Sequence, residues 1–386
     1  MVKKGKIAFL LLLILFTTGC WDMHDIEEMD FISGVAFDEP DAKVIAEQRA
    51  KLEEPEFFTP RYTITYLSPI PSTLTQEGGG QKAYDTKSVT AVSPYEAERQ
   101  MMTRSPRQLA FSHTDLVLIG EKVFENPKKI KEIMDYLQRN QRFNWNVLVG
   151  VVDGKAGDAF NIESPSIKNP VWYLTDIMRN KPLSSKVADV TISQMAVDMG
   201  KDGTMGLPKV IIAKNELKVE GAAVIKDFAI KGYITGNQSR DVMFLKGTIK
   251  GGNILINYQG FPIPYTIVNA KVKKDLKVTE EGLQLTYRIF SEGQLDEGML
   301  GQEFLNDKII KSIESKLEKE LTNDCMNTIQ SLQRDYQADI IYAGDYIEKY
   351  HPDVWKQIKD NWDEVFSQMD FRVETNISIR RAGVLK

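Results

Sequence analysis

The sequence predicts a mixed α+β protein of three domains, each a β-sheet with flanking helices, behind a cleaved signal peptide. Three observations carry this. In residues 20–206, apolar strand-like runs alternate with capped helical stretches, the pattern of an α/β domain. Residues 207–262 change to short strands and turns, a small, mostly β middle domain. Residues 263–386 return to strands, a long helix and a closing strand, a second α+β unit. About 366 residues follow the signal, more than one hydrophobic core usually serves.

The first nineteen residues read as the signal. Lys3, Lys4 and Lys6 precede an uncharged apolar run of ten residues, 7–16. A spanning helix needs roughly 20 such residues, so this run is too short to remain in the bilayer. Small Gly19 directly before Cys20 makes it a lipoprotein signal. Cleavage between Gly19 and Cys20 leaves that cysteine as the new N-terminus, carrying diacylglyceryl and N-acyl chains. Thr17 departs from the leucine usual at its position. No later run is long and apolar enough to span.

Beyond the signal, residues 31–37 read as a strand and 41–54 as a charged surface insertion. Tyr62, Ile64 and Tyr66 alternate in a half-buried strand. Residues 69–82, with Gly78, Gly79 and Gly80, form a loop, because Gln81-Lys82 lacks the signature of a phosphate cradle. Ser93-Pro94, Asn126-Pro127 and Asn169-Pro170 each pair a capping side chain with a proline that has no donor to lose. They predict helices ending near Arg104, Asn140 and Asn180, with Glu96 completing a capping box. Strands fall at 116–119 and 145–152.

The middle domain has strands at 210–213, 222–225, 230–234 and 253–258, with a short helix at 238–246. Residues 261–264, Phe-Pro-Ile-Pro, read as a linker. Strands at 265–274 and 283–292 precede a helix over about 301–336. Its apolar residues recur in steps of four from Leu305 to Ile329, which drifts the stripe by about 40° per step. Either the helix wraps a twisted sheet or it breaks near Thr322-Asn323-Asp324. Residues 339–366 are helical again, and Phe371, Val373, Ile377 and Ile379 alternate in a final strand.

Chemistry is sparse. His24, His113 and His351 lie far apart, and none has a ligand partner at metal spacing. Ser112 adjoins His113, but adjacency is not a triad and no nucleophile elbow occurs. Cys325 sits at helical apolar spacing, as a small core hydrophobe does. Trp145, Trp172, Trp355 and Trp362 read as packing residues. No catalytic residue, cofactor site or metal site is expected. The chain carries −5 overall, and the lysines of the signal leave the remainder near −8, which excludes nucleic acid as a partner. An anchored, extracytoplasmic, non-enzymatic assembly subunit fits these features.

Several motifs in one order sharpen this. They are Gly19-Cys20-Trp21-Asp22 with Ile26-Glu27; Arg107 to His113; Asp135 to Arg142; Gly221 to Lys226 with Gly232-Tyr233-Ile234; and Gln333, Asp339-Ile340, Tyr350-His351-Pro352, Trp355, Trp362, Phe366 with Ile379 to Gly383. Over nearly its whole length the chain resembles the lipoprotein C-subunits of spore germinant receptors, the Ger(x)C family. The resemblance implies a three-domain lipoprotein on the outer face of the inner spore membrane. It also implies partnership with two integral-membrane subunits, an A-type and a permease-like B-type, in a complex that answers nutrient germinants. Cys20 carries over as the lipidated residue, and Arg107, His113, Arg139 and Arg142 are the candidate partner surface. The alternative is an extracytoplasmic solute-binding lipoprotein of a transporter, which needs two similar lobes around a cleft.

Overall fold

The computed structural model describes residues 28–51, 54–70, 83–162, 167–180, 184–214, 216–280, 282–295 and 306–382. The expected signal and Cys20, with Thr17, Gly19, Trp21, Asp22 and His24, lie outside them, as do Leu305 and the glycines at 78–80.

Fourteen strands are described. β1 (Met29–Phe31), β2 (Gly34–Asp38), β3 (Tyr62–Pro69), β4 (Tyr84–Ala91), β5 (Gln108–Ala110), β6 (Leu116–Gly120) and β7 (Leu148–Val152) come first. β8 (Met205–Ala213), β9 (Glu216–Lys226), β10 (Ala229–Ile234), β11 (Asn253–Tyr258), β12 (Phe261–Thr279), β13 (Gly282–Leu295) and β14 (Asp370–Ala382) follow. Eight of them form one mixed sheet in the order β10-β9-β8-β7-β6-β2-β3-β4. Its centre, β8-β7-β6-β2, is parallel, and its flanks are antiparallel. The central strands β2, β6 and β7 are buried along their whole length, as parallel strands covered on both faces must be. β11 to β14 make a second sheet in chain order, and β1 pairs with β5 in a small parallel ribbon.

The three proline-marked helices start where the caps place them. Ser93 Oγ accepts from the Glu96 amide, Asn126 Oδ1 from Lys128, and Asn169 Oδ1 from Val171. The helices run Pro94–Met102, Pro127–Arg139 and Pro170–Arg179. The first two, with Ile192–Asp202, cover one face of the large sheet; Pro170–Arg179 and Ala156–Phe160 cover the other.

Several expectations change. Residues 31–37 are not one strand: the chain breaks at Ile32-Ser33, so Met29–Phe31 pairs with β5 and Gly34–Asp38 with β3 and β6. Residues 261–264 are not a linker but the start of β12. Pro262 and Pro264 are tolerated because they pair only with β11, before β13 joins at Tyr265. The long helix, described from Asp307 to Ser331, does not break at 322–324. It buries Ile313, Leu317, Leu321 and Cys325, then Thr328 as well as Ile329, which absorbs the drift, and it ends in a π turn over Leu332–Tyr336. Residues 339–366 are three short helices: Ala343–Tyr350, Pro352–Ile358 and Trp362–Gln368.

Hydrogen bonding crosses the expected boundary at 206/207. β8, β9 and β10 extend the first sheet, whereas β11 begins the second. Gly221 makes this possible. Between β8 and β9 the register slips, with Pro208 opposite Ala222 but Val210 opposite Val219. One extra residue in β9 reverses the phase of its side chains. Before it, Leu217 and Val219 enter the core under Pro170–Arg179; after it, Ala223 and Ile225 enter the core on the opposite face. Ala222 and Val224 meet a third core, shared with the second sheet.

Helix Gly236–Lys246 fills that third core. Thr235 caps it with a reciprocal box to Gln238, and Gly247 closes it in the left-handed region. Eight of its eleven residues are buried, including Arg240 and Asp241. Arg240 donates to Asp241 at 2.9 Å and to Asp324 of the long helix at 2.9 Å, and Thr328 donates to Asp241 at 3.0 Å.

Gly221 has φ +76°, and a Cβ there would lie 2.2 Å from the Ile234 carbonyl oxygen. Gly221→Ala is therefore expected to cost at least about 2 kcal/mol. Gly200→Ala, where a Cβ meets nothing within 4 Å on helix Ile192–Asp202, should be neutral or stabilise by up to about 1 kcal/mol. Urea midpoints of the two variants check the contrast.

Candidate functional site

The candidate surface residues lie around β5 and the end of helix Pro127–Arg139. β5 matters because it holds β1, the first described strand after the N-terminal segment. Arg107 is exposed at the edge of this ribbon, while Leu109 and Phe111 between the candidates are core residues. His113 is exposed and stands edge-on to Phe31, with ring centroids 4.9 Å apart. Ser112 Oγ lies 3.0 Å from its Nδ1, yet among the described residues no carboxylate bonds this ring, so Ser112 has no activated base. His113, Phe31 and half-exposed Trp172 border an open cavity of about 390 Å³.

Arg139 is exposed and pairs with Asp135 one turn back, which holds its guanidinium further above its ordinary value. Arg142 differs. Its guanidinium donates to Glu98 and, at 3.1 Å, to Asn140 Oδ1, and it stacks over Phe111. Glu98 is 5% exposed and also accepts from Tyr136 Oη at 3.2 Å and from Asn140 Nδ2 at 3.4 Å. Burial leads in raising the Tyr136 phenol, and Glu98 adds to it. Arg142 thus neutralises a carboxylate inside the first core. Glu98 escaped the sequence reading because it sits in an amphipathic helix where an acid normally faces water.

In parallel sheets, ligands usually bind beyond the carboxyl ends of the strands. Here Asp38, the last residue of β2, occupies that place. Its carboxylate accepts from the amides of Ala156 at 2.6 Å and Gly157 at 2.8 Å. Burial raises its pKa to about 6 against the lowering effect of those two amides. Gly120 has no room for a side chain there, since a Cβ would lie 2.3 Å from the Asp38 carboxylate.

The remaining sequence motifs hold the second half together. Gln333 Nε2 donates to the carbonyls of Phe366 at 2.7 Å and Met369 at 3.0 Å. Asp339 caps Ala343–Tyr350 through the amides of Ala343 and Gly344. Trp355 and Trp362 pack edge to face over Gly344. Burial pushes the Cys325 thiol well up, which removes the thiolate a nucleophile needs. Among the described residues no His, Cys, Asp and Glu cluster could hold a metal, and no helix is long and apolar enough to cross a membrane.

Arg142→Ala would strand buried Glu98 and should destabilise the fold by about 2–3 kcal/mol, while Arg107→Ala should stay within about 0.5 kcal/mol. Denaturant titration of both variants separates the structural arginine from the free one.

The chain is similar to known proteins along both halves. Residues 22–212 match the family described as "Spore germination protein N-terminal domain", and residues 220–383 match "Spore germination B3/ GerAC like, C-terminal". Spore germination protein B3 of Bacillus subtilis (strain 168) is 24% identical over the full length of both chains. Spore germination protein A3 of the same organism is 24% identical, with 98% of each chain covered. In fold, the crystal structure of the GerBC protein matches with a TM-score of 0.60 at 22% identity, covering 92% of this chain and all of that one. With both halves accounted for in their expected order, the chain belongs to the Ger(x)C family of spore germination proteins.

Proposed function

We propose that this chain is a non-catalytic lipoprotein subunit of a nutrient germinant receptor, held at the outer face of the inner spore membrane by acyl chains on Cys20. It assembles there with an A-type and a permease-like B-type integral-membrane subunit. The observation that carries the reading is the match of both halves to spore germination families, behind a lysine-flanked apolar run that ends at Gly19-Cys20.

Chain length supports the membrane geometry. Eight residues separate Cys20 from Met29 in β1, a reach over nine Cα–Cα steps of at most about 32 Å. The folded body therefore stays close to the bilayer, within range of membrane-embedded partners. Arg107 and His113 border the ribbon that receives the tether, so they and Arg139 form the docking face in this reading. Two acyl chains supply stable attachment without a basic patch, which suits an acidic chain.

Cys20→Ala, expressed without partner subunits, should fold with an unchanged melting curve and move from the membrane pellet to the soluble fraction. Retention of that variant in the membrane would contradict the anchor. Purification of the wild-type chain from spore membranes should bring integral-membrane subunits with it, and their absence would contradict the receptor role.

A further inference from the structure

A cavity of about 280 Å³ lies where the two sheets meet, bounded by helices Ile192–Asp202 and Gly236–Lys246, strands β8 and β9, and residues 340–342. Helix Gly236–Lys246 presents one stripe to it: Ser239, Val242, Met243 and Lys246. These stand at positions i, i+3, i+4 and i+7, so they share a face, with the two polar ends two turns or roughly 10 Å apart.

Neither end has a hydrogen-bond or ion-pair partner among the described residues. Ser239 Oγ is fully buried and has no hydrogen-bond partner among the described residues. For Lys246 Nζ no hydrogen bond or ion pair occurs among the described residues; it stands 3.9 Å from the Tyr342 ring centroid. Asp198, Asp339, Asp189 and Asp345 surround it, yet burial outweighs them and lowers its pKa to about 8. The buried hydroxyl carries a penalty that a ligand group would relieve, and the half-buried ammonium is open to an anionic partner. The rest of the lining is mostly apolar, with Val190, Ile340, Val242 and Met243, and it also includes Asp189, Gln194 and Thr248. An apolar cavity with a few convergent polar groups is the usual form of a small-molecule site.

A basic cavity adjoins this one. Lys246 and Tyr342 also line a second, open cavity of about 600 Å³, whose rim carries Lys273, Lys274 and Lys349 against a single carboxylate, Asp345. On an acidic chain this is a local reversal of sign, and it would concentrate anions beside Lys246.

We propose that the junction cavity binds a small, extended carboxylate with an apolar middle and a hydrogen-bonding group at its far end. The carboxylate pairs with Lys246 Nζ, the chain lies along Val242 and Met243, and the far group accepts from Ser239 Oγ. The site joins both sheets, so its occupant contacts both halves of the protein at once.

Calorimetric titration of the detergent-solubilised full chain with 6-hydroxyhexanoate tests this. Saturable binding is expected, weakened about tenfold or more by Lys246→Met and in hexan-1-ol, which lacks the charge. Ser239→Ala removes an unpartnered hydroxyl, so it should keep the wild-type melting curve. It should bind 6-hydroxyhexanoate several-fold more weakly while leaving hexanoate unchanged. No saturable binding by the wild type, or equal binding by Lys246→Met with its fold intact, overturns the proposal. Because binding is read on the isolated chain, its failure leaves the receptor-subunit reading standing.

Discussion

Helix Gly236–Lys246 is sandwiched between two sheets, and that burial is the constraint on which the architecture depends. It carries an arginine and an aspartate into the interior, where a lone charge would be prohibitively costly. Arg240 resolves this by pairing with Asp241 beside it and with Asp324 across the gap, while Thr328 satisfies the other Asp241 oxygen. Such a buried pair adds little net stability over well-packed apolar residues, but breaking it is expensive. It ties the central helix directly to Asp324 and Thr328 of the long helix.

The Gly221 bulge serves the same end from the other side. An unbulged β9 would keep one phase throughout and could not face three cores. With the phase reversed, Ala222 and Val224 join residues of the second sheet in one cluster. The family motif around Gly221 is thus a joint between the two sheets. Gln333, Asp339, Trp355 and Trp362 are likewise structural, holding short helices whose packing surrounds the junction. Asp38, at the carboxyl end of β2, is engaged with the amides of Ala156 and Gly157.

Local signals were legible in the sequence wherever a side chain acts on its own backbone. Ser93, Asn126 and Asn169 located three helix starts to the residue, because a cap and a proline are chemistry within one turn. Alternation located most of β14 for the same reason. Pairing over long distance was not legible. Nothing near Phe261-Pro262-Ile263-Pro264 reveals that its prolines face a strand on one side only. Nothing near residue 206 reveals that β8 to β10 complete the first sheet. At the candidate surface, Arg107 and His113 are exposed, whereas Arg142 answers to Glu98, forty-four residues away.

The central helix joins the two sheets into one cooperative body. Differential scanning calorimetry of the full chain tests this most directly. A single transition, with calorimetric and van't Hoff enthalpies in agreement, is the predicted result. Two separated transitions, one for each sheet, would contradict it.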